Sequence, residues 1–191
     1  MLGSLPSKTR IVRVLKGLII SRLLRWRGVL CQGRIVVEGA TPRIWSRGYF
    51  SIGNRVQFRT TDRKTSISVR NQGRLKIGSR CSINDGVQID AWKSVEIGPN
   101  CRIGNNARIC DTNYHEVDEG AGPYVDGISI GRNVWLAANV TVMPGVTIGD
   151  HSVVAAGSIV TKSFPERSLI AGVPAKKLRE IKASDGYIRP G

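Results

Sequence analysis

The chain offers few groups able to do acid–base or nucleophilic chemistry. Among its 191 residues are two histidines, His115 and His151, and four cysteines, Cys31, Cys81, Cys101 and Cys110. His115 sits in DTNYHEVDEG, a run crowded with carboxylates, whereas His151 sits in IGDHSVV, between regularly spaced apolar residues. An imidazole accepts protons near neutral pH and is suited to be the general base for an attacking hydroxyl. The regular surroundings of His151 mark a structural, solvent-facing corner, which leaves His115. A base histidine is held in one tautomer by a carboxylate on its other nitrogen. Glu116 and Asp118 are the first candidates for that role, with Glu119 and Asp126 also close in sequence. Cys110, five residues before His115, raises a Cys–His pair and a covalent intermediate. Direct attack does not need it, and Cys110 then reads as an outward thiol beside a corner. No C-x-x-C spacing occurs, and two histidines cannot supply a three-histidine zinc site, so no metal is expected.

The elements that must position His115 are visible as a repeat. From residue 128 apolar residues come in pairs two apart, recurring every six residues: Ile128/Ile130, Val134/Leu136, Val140/Val142, Val146/Ile148, then Ser152/Val154 and Ser158/Val160. The pattern extends back through Leu75/Ile77, Cys81/Ile83, Val87/Ile89, Val95/Ile97, Cys101/Ile103 and Ala107/Ile109, and less regularly through Phe50/Ile52, Val56/Phe58 and Ile67/Val69. Residues two apart on a strand share a face, so each pair is an inward anchor. Corners rich in Gly and Asn follow each pair and bend the chain without reversing it. Such strands form a coil, and three per turn close a triangular prism. The fifteen pairs predict an all-β parallel β-helix of about five coils, with Cys81 and Cys101 stacked inside it as buried free thiols. The phase lapses over residues 111–127, and a loop that leaves a rigid scaffold and returns is where function is expected.

Charge divides the chain further. Of a net +15, eight cations precede the first acid, Glu38. Residues 1–37 read as a basic amphipathic N-terminal segment, residues 38–165 as the β-helix with its active-site loop 111–127, and residues 166–191 as a tail in which Pro174 opens a short helix through AKKLREIKA. Within residues 8–27, Ile11, Val12, Leu15, Leu18, Ile19, Leu23 and Trp26 share one broad side of a helix. That helix fits an anionic membrane surface or a cap over the open end of the prism. Cations interrupt every apolar run too often for a membrane span, and no cleavage site of a secretory leader follows, so a cytoplasmic location, at the inner face of the membrane if the helix docks there, is expected. Without stacking aromatics beside the charge, nucleic acid is not an expected partner.

The hexapeptides, together with VWLAANVTVMPGVTIGDHSVVAAGSIVTK and AGVPAKKLREI, resemble the left-handed β-helix acyltransferases, most of all the sugar and polysaccharide O-acetyltransferases. Left-handedness is implied by the resemblance alone, since parallel crossovers are ordinarily right-handed. The resemblance implies a homotrimer with acetyl-CoA lying between neighbouring prisms, a saccharide acceptor, and His115 as base for direct attack. It places Asn84 and Asp90 near the acceptor. It places Trp135, Ala138, Ala156, Gly157 and Lys162 beside the cofactor, with Lys176, Lys177 and Arg179 offering charge to its phosphates. The chain departs from the maltose and galactoside acetyltransferases in lacking their N-terminal helical segment, which disfavours a small free sugar. Its loop is shorter than the insertion of the streptogramin acetyltransferases, which disfavours an antibiotic. A cell-surface polysaccharide or lipid-linked glycan precursor is the expected acceptor. The alternatives are N-acetylation of an amino sugar, serine O-acetylation, or a catalytically silent β-helix scaffold.

Overall fold

The computed structural model describes residues 8–190, and side chains from Val12 onward. After helix α1 (Lys8–Trp26), strands follow in threes. The turns are β1 (Leu30–Cys31), β2 (Val36–Gly39), β3 (Arg43–Ser46); β4 (Tyr49–Ile52), β5 (Gln57–Thr60), β6 (Ser66–Val69); β7 (Arg74–Ile77), β8 (Ser82–Ile83), β9 (Gln88–Ala91). They continue as β10 (Ser94–Ile97), β11 (Arg102–Ile103), β12 (Arg108–Cys110); β13 (Ile128–Ile130), β14 (Trp135–Leu136), β15 (Thr141–Val142); and β16 (Thr147–Ile148), β17 (Val153–Val154), β18 (Ile159–Val160). Each strand pairs in parallel with its counterpart one turn on, which gives three sheets: A (β1, β4, β7, β10, β13, β16), B (β2, β5, β8, β11, β14, β17) and C (β3, β6, β9, β12, β15, β18). The solenoid thus has about six turns, one more than the pairs from Phe50 onward predict, because Val29, Ile35 and Val37 already build a buried first turn.

The core is columns of identical positions. Phe50, Leu75, Val95 and Ile128 stack up sheet A, and Ile67, Ile89 and Ile109 up sheet C, all buried. Cys81 and Cys101 lie on adjacent turns as free, buried thiols. Their Sγ atoms donate to the carbonyls of Gly98 (3.1 Å) and Gly131 (2.9 Å), so the polar sulfur hydrogens are satisfied inside an apolar prism. The neighbouring Cys81 sulfur and burial together hold the Cys101 thiol well up.

Both ends of the stack are covered. At the start, α1 packs on the first turn through Gly17, Ile20, Ser21 and Leu24, spaced as one helical face. Gly17 is there because a Cβ would sit 2.0 Å from the Ile35 carbonyl oxygen. Ser21 Oγ donates to the Gly17 carbonyl (2.7 Å) and accepts from the Ile35 amide (3.2 Å), which closes an edge donor that no further strand could pair. Lys8, Arg10 and Ile11 lie outside the described side chains.

The far end corrects the expected helix after Pro174. Residues Ala175–Glu180 form β20, antiparallel to β19 (Ser168–Gly172), and β19 itself extends sheet B beyond β17. The chain reverses through Val173 and Pro174, and Gly172 enters that turn at φ 108°, a backbone that suits glycine. An isolated helix of nine residues hardly repays its own nucleation, whereas the β19 edge offers a ladder already in place. The segment beyond then folds back across the A/B corner: Asn133 donates through Nδ2 to the Tyr187 carbonyl and accepts from the Arg189 amide, both at 2.9 Å. This corrects the solvent-facing reading of His151, which is wholly buried, with Nδ1 2.9 Å from Asn133 Nδ2. Burial and the nearby Arg132 hold its imidazole below the usual histidine range. A neutral histidine under the tail is structural, and it occupies the left-handed corner position (φ 60°) that Asn100 and Asn133 fill on the preceding turns.

Candidate active site

The loop 111–127 leaves sheet C after β12 and rejoins sheet A at β13, so it stands on the C/A corner of the prism. Its root is fixed by one residue. Asp111 is buried and its carboxylate accepts the amides of Trp92 (2.7 Å), Lys93 (2.8 Å) and Ser94 (2.8 Å) from the corner one turn below. Burial pushes this carboxyl up, and the three amides act against that. The two arms of the loop join through an antiparallel bridge between Thr112 and Val125, and Tyr124 donates its amide to Asn113 Oδ1 (2.8 Å). The returning arm is tied by Asp126, which pairs with Lys93 (2.8 Å) and through its carbonyl accepts the Gly145 amide (3.0 Å).

Above that root, Tyr114 takes a left-handed backbone (φ 65°) and turns its ring back onto the scaffold. Its hydroxyl donates to Asp90 Oδ2 (2.8 Å), and its ring meets Trp92 edge-on with centroids 6.0 Å apart. Cys110 and Asp90 are partners in adjacent strands, and Cys110 lies beneath Tyr114 with Arg108 Nε 3.3 Å from its sulfur. The outward thiol expected at Cys110 does point away from the prism, but the loop covers it and leaves it buried. Burial pushes this thiol up, opposite to what a thiolate nucleophile needs.

His115 follows Tyr114 directly and is exposed. Among the described residues no hydrogen bond to its ring is formed. Of the candidate orienting carboxylates, Glu116 accepts the Gly122 amide (3.2 Å), Asp126 is engaged with Lys93, and Asp118 and Glu119 are exposed.

Asp90 belongs with this cluster, in an outward row across sheet C formed by Trp45, Ser68, Asp90 and Cys110. Beside that row runs an aromatic and cationic surface: Arg47 and Arg70 lie 5.1 and 5.5 Å from the Trp45 ring, and Arg70 lies 4.7 Å from Trp92. Exposed Trp45 and flanking guanidiniums form a platform suited to flat and anionic groups.

The other expected site residues lie elsewhere. Asn84, Ala138, Ala156 and Gly157 stand on the B/C corner, where the Gly157 amide donates to the Ala138 carbonyl (2.9 Å). Asn84 accepts from Thr65 Oγ1 through its carbonyl (2.8 Å). Trp135 is exposed on sheet B, Lys162 stands at the C/A corner of the last turn 5.9 Å from the Phe164 ring, and Lys176, Lys177 and Arg179 project from β20. A single chain therefore brings Asp90, Tyr114 and His115 together on one edge and the Ala138–Gly157 corner on another. Sequence reasoning missed Asp111, Tyr114, Arg108 and Trp92. The one available signal is that Asp111 opens the loop at a strand's end, where only its fold-dependent amide partners distinguish it from a solvated acid. Among the described residues no group of three or more His, Cys, Asp or Glu could hold a metal ion.

The family model described as bacterial transferase hexapeptide (six repeats) matches residues 127–162. The galactoside O-acetyltransferase of Escherichia coli is 40% identical over 116 residues, covering 59% of this chain and 57% of that protein. The putative lipopolysaccharide biosynthesis O-acetyl transferase WbbJ of Escherichia coli is 36% identical over 121 residues, covering 57% and 62%. The chain thus spans about three fifths of the length of these relatives. Among solved structures, the hexapeptide-repeat acetyltransferase of Vibrio cholerae O1 biovar eltor complexed with acetyl coenzyme A matches at TM-score 0.56 and 30% identity, covering 61% of this chain and 66% of that one. A galactoside acetyltransferase in complex with coenzyme A matches at TM-score 0.62 and 25% identity, covering 98% and 82%.

Proposed function

We propose, from its similarity to hexapeptide-repeat acetyltransferases, that the chain transfers acetyl from acetyl-CoA to a hydroxyl of a saccharide, with His115 as general base. The observation that supports this most is the loop itself: an otherwise continuous stack is interrupted once, and the interruption is pinned at Asp111 and Tyr114 so as to present an exposed histidine. In the reaction the acceptor oxygen attacks the thioester carbonyl carbon while His115 takes its proton. The tetrahedral intermediate collapses by breaking the carbon–sulfur bond, and the imidazolium returns the proton to the departing thiolate.

His115 and the Ala138–Gly157 corner occupy different edges of one prism, so the reading also requires a second copy, and a homotrimer closes the site around each edge. Lys162, Lys176, Lys177 and Arg179 supply cations for the phosphates of CoA. The acceptor is placed on sheet C, where Trp45, Arg70 and Trp92 suit the flat faces and acidic groups of a glycan, as for the lipopolysaccharide named for one relative.

The test is direct. CoA at about 100 times its Kd should stabilise the protein by about 2.7 kcal/mol, read as a rise in melting temperature, and labelled acetyl-CoA offered with a panel of glycans should label a saccharide. No thermal shift at millimolar CoA would favour the silent scaffold instead. Transfer only to amino groups would favour N-acetylation.

A further inference from the structure

Helix α1 has two apolar faces, and the solenoid uses only one. At about 100° per residue, Gly17, Ile20, Ser21 and Leu24 point to the first turn, while Val12, Leu15, Ile19, Leu23 and Trp26 form a stripe about 80° wide on the opposite side. The stripe is 54–86% exposed. Capping the prism therefore does not account for it. Its borders are cationic: Arg22 flanks one side, Lys16 the other, and Arg27 follows the last helical turn. Arg22 and Arg27 form no ion pair among the described residues, and no acid occurs anywhere in residues 1–37.

We propose that this face of α1 docks in the surface of an anionic lipid bilayer, with the helix lying flat and the solenoid standing on it. An apolar stripe bordered by Lys and Arg is the pattern of a helix that seats its apolar side at the headgroup and acyl boundary while cations contact lipid phosphates. Trp26, the most exposed of the apolar residues, ends the stripe where an amphipathic indole suits the boundary. Among the described residues no helix is long and apolar enough to cross a membrane, so α1 lies on the surface. A second copy is a poorer occupant, since two such helices packed along their stripes would set cationic flanks against each other with no carboxylate to relieve them. The chemistry proposed above gains a location: sheet C runs from the first turn beside α1 to the His115 loop in three strand spacings, or about 15 Å, so a glycan still attached to lipid would extend along it.

The test needs no catalysis. Full-length protein is floated with vesicles of phosphatidylcholine alone or with phosphatidylglycerol, at low and high salt. Binding to the anionic vesicles alone, falling about tenfold or more as salt screens the cations, is the expected result. Ile19→Glu with Leu23→Glu should lower partitioning by about 100-fold, because two apolar insertions become charges. Melting temperature should not change, since both side chains face away from the core. If that pair does unfold the protein, Arg22→Gln with Arg27→Gln decides, with an expected loss of about tenfold. Intact protein that ignores anionic vesicles at low salt overturns the proposal. So does a sedimentation mass that drops in the Ile19/Leu23 variant, which would show a second copy on the stripe. These outcomes are independent of whether acetyl transfer is found.

Discussion

Replacing His115 by alanine is expected to lower turnover by about 10²-fold or more while leaving affinity for CoA nearly unchanged. Positioned general bases contribute typically about 10² to 10⁴ in rate, and nothing in the fold depends on this side chain, which is exposed at the loop. The melting temperature should therefore match the parent protein, separating a chemical loss from a structural one. Cys110→Ser is the control. Its thiol is buried beneath Tyr114 and pushed up by that burial, so the variant should retain activity close to the parent. An inactive Cys110→Ser protein, with an acetylated thiol on the parent in mass spectrometry, would replace direct attack by a covalent route.

The second large effect belongs to a residue that touches no substrate. Asp111→Ala deletes the acceptor for three backbone amides at Trp92, Lys93 and Ser94, leaving those donors unpaired in a half-buried corner. Hydrogen bonds to a charged group are worth about 1.5–3 kcal/mol each, and a stranded donor adds its own desolvation cost, so a loss of at least about 3 kcal/mol is expected in denaturant unfolding. Activity should fall with it, because the same carboxylate roots the loop that carries His115. CoA binding should persist at permissive temperature, since the Ala138–Gly157 corner lies on another edge. Asp111→Asn should fare little better, for its amide nitrogen would face donors. Unfolding like that of the parent would mean the loop is held by Asp126 and Tyr114 alone.

These two residues also mark what the sequence can and cannot disclose. His115 stands out as a candidate because the chain has only two histidines and the other falls in a regular corner, although that corner proved buried: the cover over His151 comes from residues 187–189, whose packing no local pattern announces. Asp111 is illegible because its partners are 17–19 residues away and are backbone amides, which leave no trace in residue type. The solenoid is plain wherever turns are short. One turn takes 18 residues from Ile130 to Ile148, but 25 from Phe50 to Leu75, and the phase blurs accordingly. The first turn was missed for the same reason. The tail reads as helix because Pro174 suits a first helical position before AKKLREIKA, yet a vacant strand edge outweighs that signal over so short a segment. For α1, periodicity showed that one side is apolar, and only the packing shows that a different face caps the prism.

If His115 of one copy serves acetyl-CoA held on the B/C corner of another, two inactive variants should complement each other when mixed. His115→Ala lacks the base. Ala156→Trp keeps the base but projects an indole from an exposed position of the corner, into the space proposed for the cofactor. If the two are unfolded together in equal amounts and refolded, random assembly places an intact histidine beside an intact corner in about a quarter of sites, and about that fraction of parent activity should return. Each variant refolded alone should stay inactive. A mixture as inactive as its components, while sedimentation shows mixed assemblies, would contradict a site shared between copies and with it the assignment of His115 to a neighbour's cofactor.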